Sequence, residues 1–322
     1  MSGVWALVRI DVRRRWGSLL VLALLVALST GTVLAAATAA HRGATALGRL
    51  EAYSRPATVQ VPNFDARVDV GVLATLPYVE AVARTSAGGI GLLDDGQQGS
   101  TEQNTPVDDV LFHGLERPVV VAGRLFDPAA PDEAVVTPAW ARTMHRGVGD
   151  TAVVRLPTPR EQATGKGNDV PQGPAVTVRI VGIVTTPAYL DWPGQPGWFI
   201  PSPGLAEHYR RNWDTSVTNP GCVCQWASVG AMVRLAHGAD DIARLRTDLA
   251  RLFPGHTFNV LNLDQQLQIH QHDVLVQSAG LLAFALAALV AAIVVLAQAT
   301  GRHVSASRAL LRTAAALGHT PR

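Results

Sequence analysis

His270, His272 and Asp273, in the stretch QIHQHD, carry the side-chain types that hold divalent metals. Their spacing argues against a site, because residues two apart on a helix point to different sides. A polar helical segment accounts for them equally well. Cys222 and Cys224, in NPGCVCQW, are the only cysteines. A C-x-C pair begins a thiolate zinc site, but no second pair completes it. In an oxidising compartment the two can pair only with each other within this chain, closing a very small ring. Both the bonded and the reduced state stay open. Asp94–Asp95 and Asp108–Asp109 are paired acids that general acid–base chemistry could use, and also the composition of ordinary surface loops. Neither G-x-S-x-G nor H-E-x-x-H occurs. The only lysine, Lys166, lies in ATGKGNDV without phosphate-loop spacing. Trp192, Trp198, Trp213 and Trp226 cluster in sequence, as a ligand-facing aromatic patch or as packing. The expectation is a non-enzyme, with no catalytic, cofactor-binding or metal residue of its own.

Two uncharged apolar runs bracket the chain: Trp16 to Ala40 and Val274 to Gly301 contain no Asp, Glu, Lys or Arg. Each exceeds the ~20 residues a helix needs to cross a bilayer. Arg9, Arg13, Arg14 and Arg15 precede the first run, and Arg302, Arg308, Arg312 and Arg322 follow the second. Basic flanks stay in the cytoplasm, so both termini are expected there and residues 41–273 outside. The fold class expected is therefore an α+β membrane protein: two transmembrane helices, 16–40 and 274–301, flanking a two-lobed extracytoplasmic α+β domain, in a multi-pass protein of the cytoplasmic membrane. Residues 1–15 place Val4, Leu7, Val8 and Val12 on one stripe, an amphipathic cytoplasmic segment. A cleavable signal ending near Ala37-Thr38-Ala39 is the rival reading of the first run.

The 233 residues from His41 to Asp273 suffice for one large or two small domains. A net charge of +2 supplies no field suited to nucleic acid. Val-rich runs between Pro, Gly and Asp signals (PVVVAGRLF, EAVVTPAW, TAVVRL, AVTVRIVGIV, GWFIP) read as short strands. DARVDVGVLATLPYVEAV suggests a helix broken near Pro77, then a strand. ASVGAMVRL, GADDIARLRTDLARLF and HTFNVLNL read as a β-α-β unit, its helix carrying Ile242, Leu245, Leu249 and Leu252 on one face. DQQLQIHQHDVLVQ is expected to continue as a helix into the second apolar run.

Two stretches carry a family resemblance. Gly123, Arg124 and Phe126, then Glu133 and Val135–Val136, then Gly149, Asp150, Ala152 and Val153, then Val181, Gly182, Ile183 and Val184 follow one another in order. After the second apolar run come Arg312, Ala316, Leu317, Gly318, Thr320 and Arg322. The combination resembles MacB/FtsX-type permeases of ABC transporters. The resemblance implies a MacB-like core domain over 41–273, with a porter-like membrane-near lobe at about 45–115 and 227–273 and an inserted β-rich distal lobe at about 116–226. It implies a cytoplasmic coupling segment over 302–322, with Arg308, Leu311, Arg312, Leu317 and Gly318 meeting the ATPase. ATP would sit on that partner. Other partners implied are a second permease copy or homologue, the lipid bilayer, and an extracytoplasmic substrate or effector. Such permeases have at least four spans, so the chain resembles their N-terminal portion. It departs from them in having no acid after Asp273. An extracytoplasmic sensor acting through a separate signalling partner is the alternative.

Overall fold

The computed structural model describes residues 16–63, 65, 68–86, 89–93, 105–164, 171–192, 194–214, 217 and 229–316, with some side chains of the two long helices left out. Cys222, Cys224, Asp94, Asp95, Lys166, Trp226, Leu317, Gly318 and the segment 1–15 lie outside these residues.

The apolar runs form helices. Helix α1 is Trp16–Ser54 and helix α7 is Leu263–Ala316. Among the described residues, however, no helix is long and apolar enough to cross a membrane. The expected fold class of two spans at 16–40 and 274–301 is corrected accordingly. A span needs ~20 consecutive apolar residues. The supported class is α+β with two sheets.

The chain divides into two compact units, Met1–Leu47 with Ile269–Arg322, and Gly48–Gln268. In the helical unit Ala40 and Ala285 are buried, while Leu28, Leu34, Phe284 and Leu286 are exposed. The hydroxyls of Thr32 and Thr38 donate to the carbonyls of Leu28 and Leu34, four residues back, so these polar groups are satisfied within the helix.

The unit Gly48–Gln268 holds two sheets. The first contains β1 (Val59–Val61), β2 (Val79–Ser86), β9 (Val229–Leu235) and β10 (Leu261–Asn262), in the order β10-β1-β9-β2 with all neighbours antiparallel. Helix α6 (Ile242–Leu252) joins β9 to β10, and β1 lies between those two strands. The β-α-β reading thus becomes a split unit. Ile242, Leu245 and Leu249 are buried against Val59, Val61, Leu73 and Val233, whereas Leu252 is exposed. The broken helix expected before Pro77 is a short 3-10 helix, Val70–Thr75, whose start is capped by the Asp69 carboxylate accepting the Gly71 N–H.

The second sheet contains β3 (Leu92–Leu93), β4 (Val119–Gly123), β5 (Glu133–Val136), β6 (Thr151–Arg155), β7 (Ala175–Thr185) and β8 (Phe199–Pro201). The long strand β7 organises it. Its first half pairs with β6 and its second half with β4, both antiparallel, while β5 runs parallel along its other side. Along β7, Val176, Val178 and Ile180 point inward and Thr177 and Arg179 outward, the period of two that a sheet with one covered face requires. Helix α2 (Pro138–Met144) packs Trp140 into the core under this sheet; α4 (Pro203–His208) adds Leu205 and α5 (Arg210–Trp213) adds Trp213. Helix α3 (Pro159–Thr164) follows β6. A third cluster, including Leu111, Phe112, Phe126, Val184 and Met232, joins residues of both sheets in one apolar layer.

Candidate functional site

The residues of the first resemblance stretch, from Gly123 to Gly182, converge on β7. Gly123 has a positive φ of 72°, and a Cβ there would lie 2.2 Å from the Val181 carbonyl oxygen. Gly182 on β7 is equally tight, with a Cβ position 2.0 Å from the Arg124 oxygen. Only backbone fits at this crossing. The Arg124 N–H donates to Val181 at 3.0 Å. Its guanidinium forks onto the Glu133 carboxylate, which also accepts the Asp127 N–H at 2.9 Å and Arg179 Nη2 at 3.3 Å. The Gly149 N–H donates to Ile180, and the Ile180 N–H to Asp150, both at 2.8 Å. The motif is a clasp of the second sheet.

Glu133 is buried while both arginines are half-exposed. The Arg124 fork, with the Asp127 amide, holds its carboxyl down at about 2, against the cost of burial. Glu133→Gln keeps the shape and removes the charge. It is expected to cost about 2 kcal/mol, the range for hydrogen bonds to a charged group. The folded-state value lies below the ordinary one, so this stabilisation is complete above about pH 4.5 and fades toward about pH 2. Urea unfolding at pH 7 and at pH 3 checks both, with a smaller wild-type–variant gap at the lower pH.

A cavity of 190 Å³ lies inside the same unit. Loop residue Pro56, Met232 of β9, the turn at Pro187 and Ala188, Trp192, Trp198 and the opening of α7 at Leu263 and Leu267 form its wall. Several anchors set these groups. Asn262 caps α7 by accepting the Gln265 N–H at 3.2 Å, and the Leu263 N–H donates to Thr58 at 3.0 Å. The indole of Trp198 donates to Leu190 at 2.9 Å and meets the Tyr189 ring edge-on at 5.7 Å. The Trp198 N–H donates to Thr137 Oγ1, whose hydroxyl donates to Asp191; Asp191 in turn accepts the Ala139 N–H in the first turn of α2.

Glu116 belongs to this wall, between the one-turn π-helix Leu111–Leu115 and β4. It is 3% exposed. Oε1 accepts the Ala188 N–H at 3.2 Å, and Oε2 is buried without a hydrogen-bond partner among the described residues. Burial pushes this carboxyl up to about 8, with the Ala188 amide pulling weakly the other way. Near neutral pH the group is mostly a carboxylic acid, so it is a donor as well as an acceptor.

The structure separates the sequence candidates. Trp213 is core, its indole donating to Ala206 at 2.7 Å, while Trp192 and Trp198 line the cavity. Asp108 accepts the backbone N–H and Nε of Arg84 and the Val110 N–H, so it fixes a turn. His270 and His272 lie on the α7 backbone, as do Arg308, Leu311 and Arg312. Among the described residues no three His, Cys, Asp or Glu are grouped to hold a metal. Glu116 had no signal in the sequence: a lone acid before Arg117 and Pro118 looks like any surface residue, and only the fold buries it.

No family model matches the sequence, and no curated protein matches it. Among solved structures the chain is similar to a domain of a candidate permease protein from Porphyromonas gingivalis, at 14% identity and a TM-score of 0.35. That likeness covers 64% of this chain and 90% of the other.

Proposed function

We propose that this chain is a permease-type subunit that works with a separate ABC ATPase at the cytoplasmic membrane, beside a second permease copy or homologue. The observation that carries the reading is the convergence of the resemblance residues. Gly123, Arg124, Glu133, Gly149, Asp150 and Gly182 come from separate parts of the chain and close into one clasp around β7. A set shared by chance would have no reason to meet. Helix α7 supports the reading too, since it runs unbroken from Leu263 at the cavity wall to Ala316 beside the coupling residues.

In this reading the chain binds no nucleotide and catalyses nothing. ATP is bound and hydrolysed by the partner, whose movement displaces the end of α7. A continuous helix is stiff along its axis, so a displacement at Leu311 reaches Leu263. The outcome is export, or mechanical work on an extracytoplasmic substrate or effector.

The test is co-purification. Leu311→Asp and Leu317→Asp each put a charge at an apolar position of the coupling segment proposed to meet the ATPase. Each is expected to reduce recovery of the ATPase with the full chain at least tenfold, while circular dichroism keeps the wild-type spectrum. Unchanged recovery with both variants rejects this contact surface.

A further inference from the structure

We infer that the cavity beside Glu116 is a binding site for a small neutral organic molecule with an apolar body and one hydrogen-bond acceptor. This goes beyond the permease reading and does not depend on it.

Size sets the first bound. The cavity has a volume of 190 Å³. That is smaller than the ~300 Å³ lower end of drug-sized pockets. The wall sets the second. Pro56, Pro187, Trp192, Trp198, Met232 and Leu263 are apolar or aromatic, and Gln60 and Glu116 are its polar members. Such a wall favours a flat apolar body, held by aromatic faces and positioned by few polar groups.

Glu116 selects the polar end. One oxygen is committed to the Ala188 amide and the other is buried with no partner among the described residues. An unmade hydrogen bond in a buried place is costly, about 1–3 kcal/mol, and a ligand that completes it recovers that cost. Oε2 has almost no accessible surface, so it meets an occupant once the carboxyl turns about its broad terminal torsion. The protonated state makes it a donor, and its complement is a carbonyl or similar acceptor rather than an ammonium group.

The charged groups on the surrounding elements are already engaged or lie apart from this pairing. The Arg117 guanidinium sits over the Tyr53 ring, and Arg234 of β9 donates to the carbonyls of Leu115 and Arg55 and pairs with Glu80. Asp191 accepts from Thr137 and Ala139, and burial raises Asp264 of α7 above its ordinary range. Glu116 is the titrating group that itself lines the cavity, and its carboxyl titrates near 8. An occupant would also touch Leu263 and Leu267, so it braces the opening turns of α7.

The probe is benzamide, read by saturation-transfer NMR on the purified full chain, with toluene and benzylamine as comparators. Saturable benzamide binding is expected, at least fivefold tighter than toluene and at least fivefold weaker at pH 9 than at pH 7. Glu116→Gln, which keeps a donor, should bind benzamide within threefold of wild type. Glu116→Leu should lose binding at least tenfold. Ala188→Leu, which fills the cavity and keeps the Ala188-position amide, should lose it as well and does not depend on Glu116. The inference is overturned by no saturable benzamide signal, by toluene binding equally well at pH 7, or by benzylamine binding more tightly than benzamide at pH 7.

Discussion

Gly123→Ala is expected to lower the stability of the two-sheet unit by roughly 3 kcal/mol or more, at the severe end for a single substitution. Two effects combine. At φ 72° an alanine is strained, and its Cβ would sit 2.2 Å from the Val181 carbonyl oxygen. That oxygen belongs to the backbone of β7, the central strand, and also accepts the Arg124 N–H. Relief of the clash must therefore move β4 away from β7 and loosen the Arg124 fork on Glu133. Gly147→Ala is the control. It lies near the same sheet with nothing within 4 Å of its Cβ position, and should change stability by no more than ~0.5 kcal/mol. Urea unfolding of the two variants side by side checks this. Equal midpoints would show that the crossing of β4 and β7 yields more readily than its geometry implies.

The second large effect is one of pH. In the folded chain Glu116 titrates near 8, and in the unfolded chain near 4.3. Between those values the folded state binds one more proton, so stability falls as pH rises, by about 1.4 kcal/mol per unit. From pH 5 to pH 8 the decline is about 4 kcal/mol, and it flattens above that. Glu116→Gln cannot ionise and should lack this decline, whatever its stability at pH 5. Unfolding free energies of both proteins at half-unit steps from pH 5 to pH 9 test it. Parallel curves would mean that Glu116 is solvated in the native protein.

Local signals explain which parts of this fold were readable beforehand. The alternation of Val176, Val178 and Ile180 with Thr177 and Arg179 marks β7, and the spacing of Ile242, Leu245 and Leu249 marks α6. Both are short-range consequences of one buried face. HTFNVLNL looked like a full strand, but only Leu261–Asn262 pair, because β10 is an edge strand directly followed by α7. The position of β1 between β9 and β10 depends on pairing across about 170 residues to β9 and about 200 to β10, which no local window contains. Apolar content predicted two spans, yet the helices formed by those runs do not meet the length and apolarity of a span among the described residues.

The candidate site was less legible for a similar reason. Arg124 and Glu133 were recognised as members of a sequence pattern, and their meeting was visible only once a turn brought them together. The tryptophans were neighbours in sequence, but Trp213 faces a core while Trp192 and Trp198 face a cavity. Glu116 is defined by what the fold places around it, namely β9, the Pro187 turn and the start of α7.

The central claim is that force from an ATPase arrives at the two-sheet unit through α7. Amide hydrogen exchange on the chain in complex with its ATPase, with and without ATP, tests it most directly. The account predicts that ATP changes protection at Leu263–Leu267 and at Pro187–Leu190, the two segments that share the cavity wall, and that Leu311→Asp removes the change. Identical exchange at both segments in the two nucleotide states, in a complex that hydrolyses ATP, would contradict it.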